Sequence, residues 1–374
     1  MKILTVLGTR PEAIKMAPLV KELSRTCEIE HKLCSTGQHR EMLDQILSFF
    51  DIRADFDLDV MSPNQNLAET HAKTVARMAG PVQDFSPDLI LVHGDTLTSF
   101  CGALTGYFNK IKVGHVEAGL RTGNIYSPWP EEGNRQLTAV LATDHFAPTD
   151  VAKENLLREN VSPDNIYVVG NTVIDSILQV KEKLAGDEGL KQKILAEYTF
   201  LNKGRLILVT GHRRENFGQG IKNICLALKQ IALNNPDVEI VYPVHLNPNI
   251  KTPVLELLEG VRNVHLLKPL DYLDFVYLMM KAHIILTDSG GIQEEAPSLG
   301  KPVLLMREHT ERPEAVEAGT VRLVGNAVDS IAGGVQHLLD DAAEYTKFTQ
   351  ARNPFGDGTS SRQIVEILKK KYIC

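Results

Sequence analysis

The chain has 374 residues, 43% hydrophobic and 23% charged, a composition of ordinary globular domains that excludes a disordered chain. Its formal net charge of -7, with acids and bases interleaved, excludes the basic stripe that a nucleic-acid surface needs. Five scattered cysteines without a C-x-x-C pair point to reduced thiols in a cytosol, not to disulfides or a zinc site.

The opening MKILTVLGTRPEA reads as a first strand running into a polar turn, not as a signal peptide. No segment approaches the ~20 apolar residues of a spanning helix, so a soluble, cytoplasmic chain with no membrane partner is expected. Short apolar runs then alternate with helical patterns, as βαβ units of a parallel sheet do. Strands are expected at Ile3–Leu7, Glu30–Ser35, Leu89–His93, Val113–Glu117 and Asp144–Ala147, with helices such as Pro11–Leu23 and Glu41–Phe50 between them. A strand at Ile166–Gly170 leads into an amphipathic stretch, Val173–Lys183, and then into a polar, unpatterned segment from Gly186 to Gly204.

The pattern restarts with strands at Leu206–Thr210, Glu239–Pro243, Val264–Leu266, Ile284–Thr287, Val303–Met306 and Thr320–Leu323. The halves echo each other: each has a strand, a Gly and an Arg near its start, and later a buried-looking strand ending in Asp, in LILVHGD and HIILTDSGG. Two α/β domains of similar build are therefore expected. Ligands of open α/β sheets bind beyond the carboxyl ends of the strands, so two such domains facing each other would share one cleft.

The polar residues of interest fall on those strand ends. Thr9 and Glu12 have capping-box spacing, with Pro11 at the start of the helix. Arg10 beside such a helix N-terminus suits a diphosphate, and Lys15 lies a turn further on. After Asp288 the run Ser289, Gly290, Gly291 lets backbone approach a phosphate, and Glu295 can reach a ribose. No G-x-G-x-x-G or Walker A loop is present, so a nucleotide other than NAD is expected. His212, Arg213 and Arg214 cluster after another strand. Asp95, Glu117 and Glu131 each fit an ordinary turn or cap when taken singly. Together they suit proton transfer at carbon. Glu131 and Arg135 are four apart and can pair, with Glu132 turned away. Asp55 and Asp57 in DIRADFDLD read as a solvated loop, and no metal is expected.

The segments GTRPEAIKMAPLV, GQHREMLDQ, VHGDT, VGHVEAGLRTG, PWPEEGNR, VGNTVID, VTGHRREN, YPVHLNPN, LTDSGGIQEEAPSLGKPVLLMR and TERPEAVEAGT occur in order along the chain. In these the sequence closely resembles the bacterial non-hydrolysing UDP-N-acetylglucosamine 2-epimerases over essentially its whole length. The resemblance implies a glycosyltransferase-B-type fold: two Rossmann-like domains facing a cleft, residues 1–170 and 171–357, with the helix of 358–374 crossing back to the first.

It further implies that Ser289, Gly290 and Gly291 hold phosphates and Glu295 the ribose. Arg10, His212 and Arg312 would contact the nucleotide, and Phe275 would lie by the uracil. The catalytic candidates are Asp95, Glu117, Glu131 and His212, with Lys15 and Arg135 nearby. The implied reaction is anti elimination of UDP to 2-acetamidoglucal followed by re-addition, giving UDP-N-acetylmannosamine without a cofactor. Which carboxylate is the base stays open.

UDP-N-acetylglucosamine is also implied as an activator, at positions Gln38, His39, Arg214 and His245. Lys73 stands where an Arg is expected, which keeps the charge but loses the bidentate fork. A homodimer is implied as well. The rival readings are a hydrolysing epimerase releasing free N-acetylmannosamine, a retaining glycosyltransferase on the same fold, and a catalytically dead sugar-nucleotide sensor.

Overall fold

The computed structural model describes residues 1–37, 40–62 and 65–373. The chain divides into two compact units, residues 1–176 with 355–374, and residues 177–354.

In the first unit the strands are β1 (Lys2–Leu7), β2 (Glu30–Ser35), β3 (Phe56–Asp57), β4 (Leu89–His93), β5 (Lys112–Val116), β6 (Asp144–Ala147) and β7 (Ile166–Val168). The helices are α1 (Arg10–Arg25), α2 (Arg40–Phe49), α3 (Leu67–Phe85), α4 (Leu97–Phe108), α5 (Glu131–Leu141) and α6 (Asp150–Arg158). The helix α7 (Thr172–Gly186) begins in this unit and carries the chain into the second.

The second unit holds α8 (Glu188–Glu197), β8 (Arg205–Thr210), α9 (Gln219–Asn234), β9 (Val238–Pro243), α10 (Pro248–Leu258), β10 (Val264–Leu267), α11 (Tyr272–Lys281) and β11 (Ile284–Thr287). It continues with α12 (Gly290–Ser298), β12 (Val303–Leu305), α13 (Pro313–Glu317), β13 (Val321–Leu323), α14 (Val328–Asp340) and α15 (Ala342–Gln350). The last helix, α16 (Ser360–Tyr372), belongs to the first unit.

Among the described residues the first unit's seven-stranded sheet has the order β3-β2-β1-β4-β5-β6-β7, and the second unit's six-stranded sheet β10-β9-β8-β11-β12-β13. The pairings are parallel, with Thr5 beside Leu33 and Leu91 in one sheet, and Leu208 beside Val241 and Ile285 in the other. This is the α/β class that the alternating pattern predicts. The apolar runs LILVH and IILT are buried throughout, as strands covered by helices on both faces must be. Leu4, Val6, Ile90, Val92, Met78 and Ala103 form a core on one face of the first sheet. Ile207, Val209, Ile224, Leu228, Ile240 and Val335 do so in the second unit. Each Leu, Ile, Val or Met side chain of these cores contributes about 1.5–3 kcal/mol on burial.

The shared order is what positions the functional residues. Sequential strands run outward from β1 in one direction and from β4 in the other, so the order reverses between β1 and β4, and likewise between β8 and β11. At such a switch point the two connecting loops diverge and leave a crevice beyond the strand ends.

Two expectations need correction. The polar segment from Gly186 to Gly204 contains α8, whose N-cap Asp187 accepts the backbone N–H of Leu190. Asp55 and Asp57 do not lie in a free loop: Phe56 and Asp57 pair with Cys34 and Ser35 as an edge strand, and the Asp55 carboxylate accepts from Leu33 N at 2.8 Å.

The tail is tied down within the first unit. Asn171 N donates to Phe355 O at 2.6 Å, and the buried Asp175 carboxylate accepts Ser361 N at 2.8 Å and Ser360 N at 3.3 Å. An Asp at a helix N-terminus satisfies free N–H groups and meets the positive end of the dipole. Among the described residues no helix is long and apolar enough to cross a membrane.

Candidate active site

In the first unit the switch point is built from the end of β1 and the end of β4. Thr9 caps α1 in a complete capping box with Glu12. Glu12 is buried, and its carboxylate accepts Thr9 N at 2.8 Å, Gly8 N at 3.0 Å and the Thr96 hydroxyl at 2.7 Å. Burial pushes its pKa up, against the hydrogen bonds that favour the anion. Glu12 thus ties the two loops of the switch point together. Gly8 is required there, because a Cβ would stand 2.1 Å from Thr36 Oγ1 and 2.3 Å from Thr98 Oγ1. Arg10 follows, half-buried, with no ion pair among the described residues.

Four of the predicted residues come together beyond these strand ends. Lys15 forms an ion pair with Glu117, and Arg135 forms one with Asp95. Glu117 follows β5 in the left-handed backbone region, φ 61°, which a non-glycine residue rarely adopts. Asn171 Nδ2 donates to Glu117 Oε2 at 2.7 Å, and His93 Nε2 lies 3.9 Å from the same oxygen. Asn134 Nδ2 holds the Asp95 carbonyl at 3.0 Å. Glu131 opens α5 and is half-buried.

The expected pair between Glu131 and Arg135 is not the one that forms. Arg135 Nη1 lies 3.2 Å from Glu132 Oε2, and Glu132 is the fully buried residue of the two. Positions three apart share a helix face as positions four apart do. Glu132 also accepts Thr122 N at 3.1 Å and Gln136 Nε2 at 3.0 Å, which settles it inward. Glu131 stays clear of that network.

In the second unit the switch point lies between β8 and β11. Asp288 is buried and accepts His212 N at 3.0 Å, Arg213 N at 2.9 Å and Asn216 Nδ2 at 3.1 Å. One carboxylate thereby sets the whole loop of His212 to Asn216. His212 Nδ1 is 3.6 Å from Asp288 Oδ1, and its ring stacks on His245 at 5.9 Å between centroids. Burial lowers the pKa of His212, Asp288 opposes this, and Arg213 and His245 reinforce it.

The helix α12 starts at Gly290 after Ser289, whose side chain makes no capping bond. A Cβ on Gly290 would lie 3.4 Å from Arg213 Nη2 and 3.8 Å from Arg312 Nη2, so two guanidinium groups flank this helix start. Arg312 is held by Glu294 at 2.5 Å, while Arg213 Nε is buried without a hydrogen bond. Helix N–H groups, the dipole and two guanidinium groups together suit a diphosphate. Gly291 and Glu295 belong to the same helix, a Cβ at Gly291 lying 3.4 Å from Glu295 Oε1.

The remaining predicted residues are more scattered. Phe275 is half-buried in the first turn of α11, and Arg214 is exposed after Arg213. Lys73 lies on α3 and donates to Ser62 Oγ at 2.9 Å, with no bond to the Asp95–Glu117 group among the described residues. Gln38 and His39 lie outside the described residues. His93, Asn171 and Asp288 are not among the site residues expected from sequence, whereas Arg213 belongs to the expected cluster of His212 to Arg214. The signal is present in VHGD, VGNT, GHRRE and LTDSGG, where each polar residue ends or follows a strand.

The profile of the UDP-N-acetylglucosamine 2-epimerase family matches residues 21–369. UDP-N-acetylglucosamine 2-epimerases of Yersinia pestis and of Escherichia coli K12 are each 54% identical over 374 residues, spanning all of both chains. Among solved structures, the UDP-GlcNAc 2-epimerase of Neisseria meningitidis bound to UDP-GlcNAc superposes with a TM-score of 0.91 at 53% identity, over 99% of this chain and 100% of that one. The enzyme of Methanocaldococcus jannaschii, in complex with UDP-GlcNAc and UDP, does so at 0.81 and 34%, over 99% and 100%.

Proposed function

Since the chain belongs to the UDP-N-acetylglucosamine 2-epimerase family, a family of isomerases, we propose that it interconverts UDP-N-acetylglucosamine and UDP-N-acetylmannosamine without hydrolysis, by elimination and re-addition of UDP. The proton leaves carbon 2 as the carbon 1–oxygen bond to UDP breaks, and the electron pair of the C–H bond becomes the double bond of 2-acetamidoglucal. A proton delivered to the opposite face of carbon 2 and return of UDP to carbon 1 complete the inversion. Proton and UDP leave and return, so the sequence is redox-neutral and calls for no NAD.

The observation that supports this best is the pairing of Asp95 with Arg135 and of Glu117 with Lys15 at the switch point of the first sheet. The carbon 2 proton is barely acidic, so departure of UDP must build positive charge on the ring. Carboxylates held beside cations stabilise that charge and accept or give protons. Glu131, outside their ion-pair network, gives the further carboxyl that chemistry on two faces requires. Arg213, Arg312 and the α12 N-terminus, with Ser289, Gly290 and Gly291, hold the diphosphate as it departs, and Arg10 and His212 add donors. Glu295 serves the ribose and Phe275 the uracil.

The stack of His245 on His212 also supports a regulatory reading: UDP-N-acetylglucosamine bound through Arg214 and His245 would act on His212 directly. A sigmoidal dependence of rate on UDP-N-acetylglucosamine, made hyperbolic by His245→Ala, tests that part.

The test of the reaction is proton NMR of UDP-N-acetylglucosamine with the protein in deuterium oxide. UDP-N-acetylmannosamine carrying deuterium at carbon 2 is the expected product. Free N-acetylmannosamine would make the protein a hydrolysing epimerase, and an unchanged spectrum would reject epimerisation.

A further inference from the structure

One buried group beside the carboxylates has no part in the reaction above. His93 is the last residue of β4, opposite Val116 in the register with β5, so both strands fix it beside Glu117. Its Nε2 is buried, makes no hydrogen bond, and lies 3.9 Å from Glu117 Oε2. Its carbonyl accepts the Ser99 hydroxyl, whose oxygen lies 3.2 Å from Glu12 Oε1. The charged and titratable groups facing it are Glu117 and Lys15, with His115 behind, whose Nε2 sits 2.7 Å from Gly94 O.

The groups that hold Glu117 Oε2 are donors. Lys15 is an ammonium with no lone pair, and Asn171 offers its amide N–H. They suit the carboxylate and oppose its conjugate acid, because a proton on Oε2 would point donor at donor. A carboxyl that carries a substrate proton for part of each turnover needs an acceptor for that interval.

We propose that His93 is a positioning residue that supplies this acceptor: its neutral Nε2 takes the O–H of Glu117 after Glu117 has gained the carbon 2 proton. The proposal rests on the epimerase reading above. The C–H bond at carbon 2 breaks, the Oε2–H bond of Glu117 forms, and the electron pair passes into the double bond as UDP leaves. His93 gains a hydrogen bond and no charge, and Glu117 returns the proton to carbon 2 in the reverse direction or releases it to solvent before the next forward turnover. The same role holds whether Glu117 acts as base or, in the opposite direction, as acid. Burial lowers the pKa of His93 to about 4, Glu117 opposing and Lys15 reinforcing, so the ring is the neutral acceptor at neutral pH.

The experiment compares full-length wild type, His93→Leu, His93→Asn and His93→Gln. Leu has no acceptor, Asn is too short to present one at Nε2, and the Gln amide reaches that position. Loss of one such bond predicts a fall in kcat of about tenfold or more for Leu and Asn, with KM for UDP-N-acetylglucosamine changed less than about threefold. The acidic limb of the kcat–pH profile should move down by about one unit, because the neutral form of Glu117 has lost its support. Gln should restore most of kcat and return the limb. If Leu does not fold, Asn carries the same prediction.

A kcat within twofold of wild type and an unmoved limb would overturn the role of His93. A loss that Gln does not rescue, with the limb unmoved, would make His93 structural only and overturn it equally. Wild type that does not epimerise would overturn the function itself, and the role of His93 with it.

Discussion

Asp288 accepts the backbone N–H of His212 at 3.0 Å, and so fixes the loop after β8 to the end of β11 at the switch point of the second sheet. Two other donors, Arg213 N and Asn216 Nδ2, and a second approach of His212 N to Oδ1 leave the carboxylate surrounded by N–H groups. Asp288→Asn keeps the shape but turns an NH₂ toward some of these donors. It should cost about 1–3 kcal/mol of stability. UDP affinity should fall as well, since Arg213 and His212 hang from this loop. Urea denaturation and UDP titration calorimetry check both.

Arg213 predicts a second effect. With Nε buried and unbonded, and Nη2 beside Gly290, it is placed to meet an anion at the start of α12. Arg213→Lys keeps the charge and loses the fork, and Arg213→Ala loses both. A charge-assisted bond contributes about 1.5–3 kcal/mol, so Ala should weaken UDP binding by about 10- to 100-fold, and Lys by less. Binding that is unchanged in both would remove Arg213 from the diphosphate site.

Much of this site is legible in the chain because each polar residue comes directly after an apolar run. LILVH before Gly94 and Asp95, and IILT before Asp288 and Ser289, are continuous apolar strands. The polar residues after each of them must lie at a carboxyl end. The strand order is not legible, because no local pattern says that β1 sits beside β4, so the pairing of Lys15 with Glu117, 102 residues apart, stays hidden. The choice between Glu131 and Glu132 fails for a related reason, since spacing alone admits both and the Thr122 amide decides it. The helix α8 escapes because Ile194 is its one buried residue among polar neighbours, so no apolar stripe announces it.

Lys15 should matter more for rate than for binding. Its ammonium faces the buried Glu117 carboxylate, so Lys15→Met removes that ion pair while the Asn171 amide N–H stays on Oε2. The carboxylate should then take a proton more readily, and kcat should fall about 10- to 100-fold with the acidic limb of the kcat–pH profile displaced upward. Lys15→Arg should retain part of the rate. Stopped assays across pH 5–8 report both quantities.

The buried histidines make stability depend on pH. Burial lowers the pKa of His115 to about 3 and of His93 and His145 to about 4. The unfolded chain binds these protons near pH 6.5 and the folded chain does not until about pH 4. Stability is therefore present above about 6.5 and lost as pH falls toward 4, by about 1.4 kcal/mol per pH unit for each histidine. Glu12 and Asp175, whose pKa burial raises, act in the opposite sense, so the total slope is smaller. A His145→Phe comparison isolates one group: the variant should lose less stability between pH 6.5 and 5 than wild type in urea titrations. Equal losses would contradict the buried neutral state of His145.

The measurement that tests the central claim most directly is deuterium exchange at carbon 2 of UDP-N-acetylglucosamine, followed by NMR in wild type, Asp95→Asn and Glu117→Gln. If the carboxylates at the switch point of the first sheet move the carbon 2 proton, exchange should slow by about 10²- to 10⁴-fold in a variant that lacks the base or acid, while UDP affinity stays within about threefold. Exchange at the wild-type rate in both variants would contradict the account and place the proton transfer elsewhere in the protein.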